Sequence, residues 1–159
     1  MRTEKGTVEF TNMIMIEDKA TGKVLVQERR KSWTGLSFPG GHVEPFESIV
    51  DSAIREAKEE TGLTLTSWKC RGVVTFLNDC CEGEYMFLFT ADGFEGELKE
   101  CDEGDLQWVS REFLNDLPKW EGDQIFLDLL WQNAPFFLLT LRYSGDKLVE
   151  AVLDGKKIR

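Results

Sequence analysis

The chain has 159 residues, 42% hydrophobic and 30% charged, with a formal net charge of −10. That length suits one domain, 1–159, around one well-filled core, and the composition suits a globular protein in water. An acidic chain is repelled by a nucleic-acid backbone, so duplex DNA or RNA is a poor partner, whereas a free nucleotide stays admissible because a bound metal reverses the local sign.

Four cysteines occur, Cys70, Cys80, Cys81 and Cys101, with no C-x-x-C pair, and His42 is the single histidine. This argues against a zinc site. Met1-Arg2-Thr3-Glu4-Lys5 is not followed by an apolar stretch of signal-peptide type, and no run of about 18 apolar residues exists to span a membrane. The expectation is a cytoplasmic protein with reduced thiols, most of them buried and inert.

In chain order, residues 8–16 and 23–29 read as strands, joined through the turn-like Glu17-Asp18-Lys19-Ala20-Thr21-Gly22 as a hairpin. Residues 32–41 read as a loop of small residues, with Pro39 ahead of the pair Gly40-Gly41. From about 48 to 61 the pattern is helical. Ile49, Ala53 and Ala57 recur every four residues and should face the core, and Gly62 stands where a C-terminal cap belongs. Residues 72–77 and 85–90 are rich in β-branched or aromatic side chains and read as strands, with a loop over 78–84. The acidic stretch 95–105 reads as a solvated face or loop. A short strand is expected at 106–109, then one or two helical turns over 111–117 ended by Pro118. Ile125, Phe126, Leu129 and Leu130 give 123–132 the spacing of an amphipathic helix, with Asp123 as its N-cap. Residues 136–143 and 147–153 flank Ser144-Gly145-Asp146 as a terminal hairpin. There is no internal repeat or linker. The alternation of strands with two principal helices predicts an α/β (α+β) domain, a mixed sheet with helices on its faces.

Between Gly41 and Leu63 the chain reads G-x5-E-x7-R-E-A-x-E-E-x-G-L, placing Gly41, Glu47, Arg55, Glu56, Glu59, Glu60 and Gly62 at fixed spacing. On a helix, Glu56, Glu59 and Glu60 stand at i, i+3 and i+4. Like charges so placed destabilise an empty helix by a few tenths of a kcal/mol per pair, roughly. A divalent cation removes that cost, and hard carboxylate oxygens suit Mg²⁺ or Mn²⁺. Arg55 is placed to hold Glu47 or Glu56, and a bidentate guanidinium orients a carboxylate better than lysine does. Clustered glutamates alone are an ordinary solvated face. Seven fixed positions, a glycine at each end and a phosphate-compatible turn before the helix argue for more. A cation held beside such a turn points to hydrolysis of a nucleotide diphosphate linkage. No Cys or Ser has a partner arrangement for nucleophilic catalysis, and His42 stands alone.

This segment resembles a Nudix box, residues 41–63, and the chain resembles the Nudix hydrolases of MutT type, the 8-oxo-dGTP diphosphatases. Phe38-Pro39-Gly40-Gly41-His42-Val43-Glu44 is similar to the loop that enters the box in that group. Trp120-Glu121-Gly122-Asp123, followed by an apolar helix, is similar to a purine-pocket segment of the oxidised-purine nucleotide hydrolases. Two departures stand out: Ala57 replaces a larger aliphatic residue, and Gly122-Asp123 replaces paired acids.

The resemblance implies an α/β/α sandwich with a mixed β-sheet between helices. It implies that Glu56 and Glu60 bind metal directly with the Gly40 carbonyl, that Glu59 binds a second metal or acts through water, and that Glu47 and Arg55 support the site. One more carboxylate, ligand or general base, falls on Glu103, which is equally read as one solvated acid among several. Arg29 or Arg30, at the end of the second strand, touches phosphate, Arg29 being the position the resemblance matches, or is a surface arginine. Trp33, Phe38 and Trp120 stack on a base or are packing anchors, and Gly41 lines the substrate. Asp123 reads a purine edge, caps its helix, or does both. The implied reaction is Mg²⁺-dependent hydrolysis of a nucleoside triphosphate, such as 8-oxo-dGTP, to monophosphate and pyrophosphate. The alternatives are a pyrophosphatase for a nucleotide sugar, ADP-ribose or a dinucleoside polyphosphate, and a non-catalytic nucleotide-sensing module.

Overall fold

The computed structural model describes residues 7–29, 35–79, 82–99 and 106–159, apart from the side chains at 28, 29, 35 and 36. Along the chain run β1 (Thr7–Ile16), β2 (Val24–Arg29), β3 (Gly35–Ser37), α1 (Ile49–Thr61), β4 (Thr64–Asn78), β5 (Glu82–Glu95), β6 (Leu106–Val109), α2 (Arg111–Asp116), α3 (Glu121–Trp131), β7 (Phe137–Ser144), β8 (Lys147–Leu153) and β9 (Lys156–Lys157). Six strands form one sheet in the order β1-β5-β4-β7-β8-β9, and three form a second in the order β3-β2-β6. The large sheet is mixed: β7 runs parallel to β4, Gly72 opposite Phe137, and antiparallel to β8. Among the described residues no helix is long and apolar enough to cross a membrane.

The chain divides into two compact units. The first comprises Met1–Thr11, Arg71–Leu88 and Lys119–Arg159. Its buried side chains include Val74, Leu88, Phe126, Leu130, Phe137, Leu139 and Leu141. The second comprises Asn12–Cys70 and Phe89–Pro118. Ile14, Ile16, Val24, Leu25, Ala57, Leu63 and Phe89 are buried in it. In both, apolar residues are withdrawn from water at roughly 25 cal/mol per Å² of area, the main favourable term.

Several expectations change. Residues 8–16 and 23–29 are strands but not a hairpin. A single bridge, Glu17 to Val24, closes the turn, after which β2 pairs with β3 and β6. The reason is on the free edge of β1. The N–H groups of Asn12 and Ile14 donate to the carbonyls of Gly41 and Pro39, both at 2.8 Å, so the loop before α1 occupies the place a hairpin partner would take. The expected loop 32–41 contains β3. Ile49 is exposed rather than in the core, because α1 turns Ser52 inward beside Ala53 and Ala57. β4 and β5 extend well beyond the apolar segments that announced them. Five of the first seven residues of β4 are exposed, so pairing within the sheet more than side-chain pattern holds that stretch. β9 was not expected.

Candidate active site

The box helix is fixed at both ends. Ser48 is its N-cap, accepting the Asp51 N–H at 2.9 Å, and Gly62 closes it in the left-handed region at φ 84°. Ala53 and Ala57 are buried. Small residues there let the helix sit close within its unit. Thr61 is buried as well, its hydroxyl donating to the Ala57 carbonyl at 2.5 Å.

The entering loop is held to β1 by Asn12, which sequence reasoning missed. Its backbone N–H serves the Gly41 carbonyl, its Oδ1 accepts the Gly41 N–H at 3.1 Å, and its Nδ2 donates to Ser52 Oγ at 3.0 Å. One buried amide therefore ties strand, loop and helix together. The available signal was a lone asparagine in an otherwise apolar run, Met13 to Ile16 following it. The two glycines are required by close approach. At Gly40, with φ 156°, a Cβ would collide with the Asn12 carbonyl oxygen. At Gly41 a Cβ would lie 2.5 Å from Glu56 Oε1, so the Glu56 carboxylate rests directly on the turn.

Arg55 organises the acids. Its Nε donates to Glu47 Oε2 at 2.7 Å and its Nη2 to Glu47 Oε1 at 3.0 Å, a bidentate pair. Nη2 also donates to the His42 carbonyl at 3.0 Å. Nη1 donates to Glu56 Oε1 at 3.0 Å and to Glu59 Oε2 at 3.1 Å. All five N–H groups of the guanidinium are thus engaged. The Glu47 contact raises Arg55 above its ordinary value, and the same hydrogen bond from Arg55 lowers Glu47. Glu60 turns the other way, Oε2 accepting the Gly40 N–H at 3.0 Å. It is the Gly40 amide, not its carbonyl, that meets a box carboxylate here.

Glu56, Glu59 and Glu60 therefore share a helix face, but Glu56 and Glu59 meet on Arg55 Nη1 while Glu60 accepts from the Gly40 amide. Among the described residues no three His, Cys, Asp or Glu side chains converge as an ion cage. The donor set still fits a hard divalent ion: it is all carboxylate oxygen, and Glu56 Oε2 and Glu59 Oε1 take none of the bonds above. Glu103 and Trp33 lie outside the described residues, as does the Arg29 side chain, and so do Arg30, Cys80, Cys81 and Cys101. Phe38 is half-buried just before Pro39.

Of the residues expected to read a base, Trp120 and Asp123 belong to the other unit. α3 begins two residues earlier than its periodicity announced. Trp120 is its N-cap, without a side-chain cap bond, and Asp123 stands inside the first turn. Asp123 is therefore not the cap. Burial pushes its carboxyl up to about 6, the Lys119 charge opposing and the Glu84 charge adding. Trp120 meets Tyr143 edge-on, ring centroids 5.3 Å apart. Gly122, where paired acids would put a carboxylate, has no room for one. A Cβ would come within 2.6 Å of both Leu141 Cδ1 and the Tyr143 hydroxyl, and that hydroxyl accepts the Gly122 N–H at 2.8 Å.

Comparison with known proteins agrees with this fold and box. The sequence pattern of the family described as NUDIX domain matches residues 11–130. A Bacillus subtilis protein named uncharacterized Nudix hydrolase YvcI is 34% identical over 94% of this chain and 96% of its own length. An oxidized purine nucleoside triphosphate hydrolase of Danio rerio is 33% identical over 84% of this chain and 87% of its own. An ADP-ribose pyrophosphatase of Methanocaldococcus jannaschii is 31% identical over 75% and 72%. The crystal structure of a mutator MutT protein from Bacillus halodurans superposes with a TM-score of 0.81 at 26% identity, covering 92% of this chain and 97% of that one. Fold and box together define a mixed-sheet α+β hydrolase. The chain belongs to the Nudix hydrolase family. Enzymes of that family act on small nucleotide substrates and generally use divalent metal ions.

Proposed function

We propose that this enzyme is a cytoplasmic, Mg²⁺-dependent nucleoside triphosphate diphosphatase that clears oxidised purine nucleotides such as 8-oxo-dGTP from the nucleotide pool, sparing DNA from repair. The observation that carries the reading is the Glu56 carboxylate seated against the Gly41 turn on a helix whose arginine is fully engaged. Glu56, Glu59 and Glu60 would hold the metal, with the Gly40 carbonyl and Glu103 as further oxygens and Mn²⁺ as a substitute. When bound, the ion neutralises phosphate charge and lowers the pKa of a coordinated water. The chain's own residues do the rest. Gly40 and Gly41 let the entering loop pack against β1 and the Glu56 carboxylate. Glu47 and Arg55 fix the helix face against the loop. A carboxylate of the box, or Glu103, takes the proton of the attacking water. Products are the nucleoside monophosphate and pyrophosphate.

Base recognition is assigned to Asp123, largely buried and able to hydrogen-bond a purine edge, with Trp120, Phe38 and Trp33 as stacking surfaces and Arg29 on phosphate. The Danio rerio relative's name supports this substrate class. The whole chain, 1–159, works as one catalytic domain in this reading. A second reading has its own support: the Methanocaldococcus jannaschii relative is named for ADP-ribose. A Mg²⁺-supplemented panel of 8-oxo-dGTP, dGTP, ADP-ribose and dinucleoside polyphosphates, with product identification, decides between them. The proposal expects pyrophosphate release fastest from the oxidised purine. Equal or faster turnover of ADP-ribose transfers the enzyme to the second reading. Nucleotide binding without any turnover makes it a sensing module.

A further inference from the structure

The three helix-face carboxylates are not held alike. Glu56 is only 13% exposed in its side chain and rests on Gly41, so its rotation is blocked by backbone. Glu60 is tied to the Gly40 amide. Glu59 is 59% exposed and is held through Arg55 Nη1, the same nitrogen that serves Glu56. Glu47, by contrast, takes two bonds from Nε and Nη2 and is 15% exposed.

We infer that Arg55 and a divalent cation compete for Glu59. Resting on the metal-dependent reading of the box, this makes Arg55 two devices in one side chain: a permanent clasp on Glu47 and a releasable one on Glu59. The asymmetry follows from electrostatics. An exposed i,i+4 ion pair is weakly held, since solvent screens it and two long side chains lose rotamer freedom to make it. A doubly charged ion attracts a carboxylate more strongly than a singly charged, delocalised guanidinium at similar distance. The half-buried bidentate pair with Glu47 is the one that survives. Arg55 thus parks Glu59 on the helix and hands it over as the cation arrives. The helix avoids bare repulsion between Glu56, Glu59 and Glu60 at low cation concentration.

Side-chain NMR of the full chain, labelled with ¹⁵N-arginine, tests this. Arg55→Lys assigns the Arg55 signals by their disappearance. MgCl₂ is added alone and then with inorganic pyrophosphate, and calorimetry on the same samples follows uptake. The expected result is reduced hydrogen-exchange protection at Nη1 as Mg²⁺ binds, one of its two N–H groups losing Glu59 while the other keeps Glu56, with Nε unchanged throughout. Glu59→Ala, which leaves no acceptor there, should show that reduced protection at Nη1 before any Mg²⁺ is added. Mg²⁺ uptake with Nη1 unchanged overturns the competition and leaves the proposed function standing. A Glu59→Ala spectrum identical to wild type at Nη1 overturns it too. Absence of any heat, with or without pyrophosphate, sinks the metal-dependent reading itself.

Discussion

Phe46 has φ 62° and is fully exposed, in the turn between Pro45 and Glu47. A left-handed backbone costs a side chain with Cβ roughly 1–2 kcal/mol, and an exposed ring gains little burial to offset it. Phe46→Gly removes that strain but loosens the unfolded chain by about 0.4–1 kcal/mol. The strain is the larger effect, so the variant should be more stable by about 0.5–1 kcal/mol. For a chain of this size that is a rise of roughly 1–4 °C in Tm by thermal melting. A lower Tm would mean that the ring makes contacts worth more than its strain. Asp123 carries the opposite kind of cost. Its carboxyl titrates near about 6 in the folded protein against 3.8 for the free group. The folded state therefore holds its proton more tightly than the unfolded one. Stability is undiminished below about pH 4, falls as pH rises through the window from 4 to 6, and is flat above it. A shift of that size corresponds to about 3 kcal/mol. Urea titrations should show that fall in wild type and its loss in Asp123→Asn. Equal slopes for the two proteins would mean that the carboxyl is solvated.

At the scale of elements, α1 and α3 differ in how they are anchored, and in how much of that the sequence displays. α1 was legible nearly to the residue. Its cap Ser48, its buried alanines, its terminal Gly62 and its acids all lie within one short stretch, and helical period relates them. Ile49 was misplaced because the pattern of every fourth residue ran one turn too far toward the N-terminus, where solvent begins. α3 was legible as apolar but not at its start. What fixes that start is Gly122 against Leu141 and Tyr143, on β7 and distant in sequence. The glycine that looked like a missing acid is a packing requirement. Gly122→Ala should cost about 1–3 kcal/mol by overpacking, read from urea midpoints. A neutral Gly122→Ala would show that α3 can lift from β7 without cost. Asn12 hides for the same reason: its partners Gly41 and Ser52 are brought to it by tertiary structure alone.

For the molecule as a whole, strands and helices were mostly foreseeable, but of their pairings only the terminal hairpin of β7 and β8 was. Residues adjacent in sequence, 8–16 and 23–29, end in different sheets, whereas β4 and β7, far apart in sequence, lie side by side in parallel. Turn chemistry marks where a chain reverses. It cannot announce that the edge of β1 is already taken by the loop before α1. The site escaped that difficulty because its chemistry is local, one turn and one helix. In the proposed function, metal-dependent hydrolysis rests above all on Glu56. The most direct measurement is pyrophosphate release from 8-oxo-dGTP under saturating Mg²⁺, comparing wild type with Glu56→Gln, both shown folded by melting. The account predicts rapid release by wild type and a fall in kcat of ~10²-fold or more in the variant. Equal rates in the two proteins would contradict it.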